Sequence, residues 1–129
     1  MPIIAPRILV LDDEKLIRWS LKQILVQEGY DVDTAASTEE ALNLTNLKHY
    51  GLIFADLEIC GDQSRSYYKQ LLSRQEGAKL IVLTAMAKDQ AERELAELPF
   101  QILEKPFESE DIKVAARRAL GSEPPAGDK

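Results

Sequence analysis

The sequence predicts an α/β fold, a single domain wound on both faces of a five-stranded parallel sheet, and three observations predict it. Short apolar runs alternate five times with stretches of helical periodicity, the pattern of βα units in series. Three of the runs (Ile8–Leu11, Leu52–Ala55 and Leu80–Leu83) are unbroken, as strands buried on both faces are. Each ends in polar groups: Asp12-Asp13, Asp56 and Thr84. A fourth run, Phe100 to Leu103, leads through Glu104 into Lys105-Pro106. In a parallel sheet these ends share one edge, where open α/β folds place their ligands.

The elements follow in order. After Asp13, apolar Ile17, Leu21, Ile24 and Leu25 mark one face of a helix that Gly29 stops. Tyr30 to Ala36 alternates as a less apolar strand, which belongs at a sheet edge. Ser37 and Glu40 have capping-box spacing and open a helix to about Leu47. The central strand ends at Asp56, and a loop with Gly61-Asp62 leads to a helix that turns Tyr67, Tyr68, Leu71 and Leu72 inward. Gly77 closes it before the strand to Thr84. Ala91, Leu95 and Leu98 recur at helical spacing up to Pro99. Ser109 is positioned to cap a last helix bearing Ile112, Ala115, Ala116 and Leu120, stopped by Gly121. Residues 6–121 thus form the expected domain, and 122–129, with Pro124-Pro125, a tail or the start of a linker.

The strand order 2-1-3-4-5 leaves the weakest strand outside and sets strands one and three together at the switch point, gathering Asp12, Asp13 and Asp56. Composition narrows the function. With 129 residues, one core is large enough to be stable. A net charge of −6 argues against a nucleic-acid surface, and Arg117-Arg118 alone makes a solvated face. No apolar run approaches the ~20 residues that span a bilayer. The N-terminus lacks a signal-peptide pattern, and the lone Cys60 has no disulfide partner within the chain. A cytoplasmic location is the expectation.

Gathered carboxylates repel and need a cation, and an all-oxygen set suits Mg²⁺. With the metal on Asp12 and Asp13, Asp56 is placed to attack a phosphoryl group. Lys105 supplies a point charge and Thr84 a hydroxyl to its oxygens, and Pro106 fixes the backbone behind the lysine, with a cis bond accessible. Singly these residues have plainer roles. Asp13 caps a helix, Thr84 sits in a turn, Lys105 is a solvated charge, and Asp56 is a loop acid. Their joint placement at four carboxyl ends favours the chemistry.

Leu11-Asp12-Asp13-Glu14, the strand ending in Asp56, Leu83-Thr84-Ala85 and Glu104-Lys105-Pro106-Phe107 together resemble the receiver domain of two-component response regulators, over about residues 6 to 120. The segment Ile17-Arg18-Trp19-Ser20-Leu21, with Gly29-Tyr30, further resembles receivers of the nitrogen-regulator type. The resemblance implies a flavodoxin-like receiver fold and phosphorylation of Asp56 by a histidine kinase or phosphotransfer protein. It implies Mg²⁺ on Asp13, Asp56 and the Glu58 carbonyl, with Asp12 holding a metal-bound water. Thr84 and Lys105 would contact the phosphoryl oxygens and signal to the face of the fourth helix, fifth strand and fifth helix. An output partner, a fused effector domain or a second copy would read that face. Three departures stand out. The usual switch aromatic, three before the lysine, is Ile102, with Phe100 as a candidate substitute. The usual Met-Pro is Ile59-Cys60, and the glycine a few residues later is missing. Glu58 and Met86 border the site and are expected to tune the lifetime of the phosphoryl bond.

Two other classes compete. A haloacid-dehalogenase-like phosphohydrolase also forms an aspartyl phosphate, but it places an aspartate two residues after the nucleophile, where this chain has Glu58. A receiver-like interaction module would signal without phosphorylation. A nucleotide or flavin binder lacks its Gly-rich loop after the first strand.

Overall fold

The computed structural model describes residues 6–121 except Glu97, and the proposed tail lies outside the described residues. Strands β1 (Arg7–Leu11), β2 (Asp31–Ala35), β3 (Leu52–Asp56), β4 (Lys79–Thr84) and β5 (Gln101–Glu104) alternate with helices α1 (Lys15–Gln27), α2 (Thr38–Leu47), α3 (Ser64–Ser73), α4 (Lys88–Glu94) and α5 (Ser109–Leu120). All pairings are parallel, in the order β2-β1-β3-β4-β5. Side chains alternate across a strand, so each central strand feeds two cores. Ile53 and Ala55 join Leu9, Leu11, Tyr68, Leu71, Leu80 and Val82 on the side of α2, α3 and α4. Leu52 and Phe54 join Ile8, Val10, Leu21, Leu25, Ile112 and Ala116 on the side of α1 and α5.

Local chemistry shifts some boundaries. The expected loop after Asp56 is a 3₁₀ segment, Leu57–Gln63, broken at Gly61, whose φ of 60° is a left-handed conformation that glycine tolerates. Helix α4 ends at Glu94, earlier than the Leu95–Leu98 spacing suggested. Phe100 lies before β5 rather than in it, although it packs into the same layer as Ile102. The cap of α5 is Glu108, not Ser109: Glu108 and Asp111 exchange side-chain bonds in a capping box, and Gly121 ends the helix at φ 62°.

Ser37 caps α2 as predicted, accepting the Glu40 N–H at 3.1 Å, while the Glu40 carboxylate reaches back to the N–H of Ala36 instead of Ser37. Ser37→Ala is expected to cost about 1 kcal/mol, the usual value of such a cap. A urea midpoint lowered at unchanged slope would show it.

Candidate functional site

The site is built where β1 and β3 run side by side. Leu11 pairs with Ala55, so Asp12 and Asp56 leave neighbouring strands at the same level. Both are buried, at 0% and 5% exposure. One carboxylate oxygen from each of Asp12, Asp13 and Asp56 lies within 4.8 Å of the others. Asp13 is exposed and does not cap α1, since the cap position is Glu14. Among the described residues its carboxylate has no hydrogen bond or ion pair, which leaves it free to hold a ligand. Asp12 is fixed from two sides, its Oδ1 accepting the Glu14 N–H at 2.9 Å and its carbonyl accepting Arg18 Nη1 at 2.8 Å.

The other predicted residues come from β4 and β5. Leu83 pairs with Asp56 and Thr84 with Glu104, which sets Thr84 and Lys105 on the same edge of the sheet. The Lys105 N–H donates to the Thr84 carbonyl at 2.8 Å, and the Lys105–Pro106 peptide is cis. Lys105 Nζ lies 3.3 Å from Asp12 Oδ2, 3.6 Å from Asp56 Oδ1 and 3.9 Å from Glu14 Oε1. Burial by itself lowers the lysine pKa, but the Asp56 and Asp12 carboxylates outweigh it and raise the pKa above its ordinary value.

One ammonium does not balance the acids. Burial, then the contact with the Glu58 side chain and the charge of Asp12, push Asp56 up to about 7, against Lys105 and the Glu58 N–H. That N–H donates to Asp56 Oδ1 at 3.2 Å, and the buried Tyr68 hydroxyl donates to the Asp56 carbonyl at 2.6 Å. Thr84 Oγ1 donates to Glu58 Oε2 at 2.5 Å and accepts the Met86 N–H at 2.9 Å. Three acids and one ammonium offer all-oxygen ligands to a hard cation, with a hydroxyl and a positive charge beside one carboxylate.

Asp12, Asp13, Asp56, Glu58, Thr84 and Lys105 therefore converge on one crevice. Ile102 and Phe100 do not join it, packing instead in the layer of α2, α3 and α4. Reasoning from sequence missed Arg18, Glu14 and the hydroxyl of Tyr68 as parts of the site. Arg18 lies four residues past the cap position, about one turn into α1, and that spacing was a readable signal. The Tyr68 contact had none, because helical periodicity assigns only its ring.

A model of the family described as the response regulator receiver domain matches residues 8–117. Sporulation initiation phosphotransferase F of Bacillus subtilis is 28% identical over 115 residues, 88% of this chain and 93% of that protein. The DNA-binding transcriptional regulator NtrC of Klebsiella pneumoniae is 27% identical over 112 residues, 86% of this chain but 24% of its own length. The chain thus spans about a quarter of several curated relatives that it matches. Among solved structures, the chemotaxis response regulator CheY4 of Vibrio cholerae superposes with a TM-score of 0.81 at 25% identity, over 91% of this chain and all of that one. With the family pattern matched along most of its length, the chain belongs to the receiver domains of two-component response regulators.

Proposed function

We propose that residues 6–121 act as a receiver unit in the cytoplasm, in which Asp56 accepts a phosphoryl group from the phosphohistidine of a sensor kinase or phosphotransfer protein. The observation that carries this reading is the meeting of three carboxylates within 4.8 Å beside the Lys105 ammonium. The donor set fits Mg²⁺: all ligands are hard oxygens, their mutual repulsion is incompletely balanced, and Asp13 is free to ligate. Asp13, Asp56 and the Glu58 carbonyl are the proposed ligands, with Asp12 orienting a bound water. An ion held there would supply positive charge against the acceptor and phosphoryl oxygens.

The chain's residues do the rest. An Asp56 oxygen attacks phosphorus as the bond to the donor nitrogen breaks. Lys105 neutralises one equatorial oxygen and Thr84 donates its hydroxyl to another. Beside the crevice, Leu16 and Trp19, at 71% and 60% exposure, line a mainly apolar groove with Ile24 and Phe107. That groove suits contact with the donor protein, since an exposed apolar patch with a polar rim marks a protein interface. The output partner, a fused effector or a second copy, is assigned to the open groove lined by Lys88, Glu92, Phe100 and Ile102.

The test is incubation with Mg²⁺ and acetyl phosphate. Intact-mass analysis is expected to show the gain of one phosphoryl group, absent in Asp56→Asn and absent with chelator. Multiple turnover of small phosphate esters would instead support a hydrolase. No labelling and no magnesium affinity would leave an interaction module.

A further inference from the structure

The Thr84 hydroxyl has a single proton, and the Glu58 carboxylate engages it at 2.5 Å while the Met86 N–H fills the accepting side. A phosphoryl oxygen that is to use this donor must first displace Glu58. The contact is short and charge-assisted, the stronger class of hydrogen bond. It is also anchored, because the Glu58 N–H is held by Asp56 itself. Glu58 is exposed, makes no ion pair among the described residues, and borders a groove of about 270 Å³ shared with Leu57, Gly61, Ser64, Met86 and Glu94.

We propose that the Glu58 carboxylate is an intramolecular surrogate for a phosphoryl oxygen, holding the Thr84 hydroxyl until a phosphoryl group on Asp56 takes it over, and so limiting how fast Asp56 is loaded. The inference rests on the phosphoacceptor reading and goes further, assigning a side chain that competes for the same donor. In loading from acetyl phosphate, an Asp56 oxygen bonds to phosphorus, the bond to the acetate oxygen breaks, and acetate leaves with the electron pair. The phosphoryl oxygens bring their own negative charge to the place the Glu58 carboxylate occupies, and like charges repel. Glu58 turns out toward the groove, and Thr84 exchanges one acceptor for another.

The experiment is a double-variant cycle read by intact mass, with acetyl phosphate and Mg²⁺. Glu58→Ala is expected to label about tenfold faster than the parent, the scale of one charge-assisted hydrogen bond at a partly solvated position. Glu58→Gln, which keeps a weaker neutral acceptor, is expected to fall between them. In a Thr84→Ala background, whose labelling is followed over a longer course, Glu58→Ala is expected to give no gain, because the contact it relieves is already gone. A second readout needs no phosphodonor: the Thr84 methyl resonance is expected to shift in Glu58→Ala and to shift less in Glu58→Gln. An equal gain with and without Thr84 would assign the effect to simple charge repulsion and overturn the inference. So would normal labelling of the parent with no gain in Glu58→Ala. Failure of the parent to label at all would overturn the phosphoacceptor reading, and this inference with it.

Discussion

Asp56→Asn, besides ending phosphoryl labelling, is expected to make the metal-free protein more stable at pH 8 by about 2 kcal/mol, or about 8 °C in Tm for a chain of this size. The sign follows from the direction of the shift. Asp56 is raised to about 7 in the folded protein, by burial first and by its acidic neighbours second. A carboxyl raised on folding binds its proton more tightly in the native state. It therefore contributes stability below its unfolded pKa of about 3.9, and that stability is lost as pH rises through 7. Above pH 7 the native crevice holds a repelling charge that the unfolded chain does not confine. Asparagine keeps the shape without the charge. At pH 4 the gain is expected to vanish, and millimolar Mg²⁺ is expected to narrow it by stabilising the parent alone. Thermal melts in chelator at pH 4, 6 and 8 measure all three. A parent that grows more stable from pH 4 to 8 relative to Asp56→Asn would contradict the electrostatic account.

Lys105→Met should act in the opposite direction on stability and in the same direction on chemistry. The substitution keeps a flexible stem and removes the ammonium that lies 3.3 Å from Asp12 and 3.6 Å from Asp56. Asp12 is fully buried, and a buried charge that loses its partner typically costs 3–5 kcal/mol. Lys105 retains 19% exposure, so a loss of about 2 kcal/mol at pH 8 without metal is the expectation, after allowing for solvent screening. Labelling is expected to fall on the order of 100-fold, the usual effect of removing one donor to developing oxyanion charge. Combining Lys105→Met with Asp56→Asn should recover much of the stability and none of the labelling. Stopped-flow or mass-resolved labelling, together with denaturant curves, separates the two effects. An unchanged labelling rate would remove Lys105 from the proposed chemistry.

The recovery expected in that double variant shows what kind of centre this is. Its parts are individually unfavourable and compensate one another, so stability and reactivity are traded at the same few atoms. Tyr68 and Arg18 hold the backbone on either side, through the carbonyls of Asp56 and Asp12, and neither touches the carboxylates.

Strand positions and order were legible in the chain because burial on both faces demands unbroken apolar runs such as Leu52–Ala55. The acids were legible for the converse reason: an aspartate ending such a run opposes its surroundings. Parallel pairing then fixes which ends meet, so the convergence of Asp12, Asp13 and Asp56 with Thr84 and Lys105 followed from topology. Helix ends were less legible, as Glu108 in place of Ser109 shows, because neighbouring polar residues compete for one cap with small differences in energy.

What only the tertiary structure decided were contacts made by flexible or amphipathic side chains across elements. The Tyr68 ring obeys helical periodicity, but its hydroxyl finds the Asp56 carbonyl only once α3 has docked on the sheet. The chain's pattern already put Glu58 at the border of the site, but its 2.5 Å hold on the hydroxyl of Thr84, 26 positions later, exists only in the folded protein. Periodicity records which face a residue takes, an average property of its surroundings. A hydrogen bond depends on the position of single atoms, and those are set by packing that residues distant in sequence complete together.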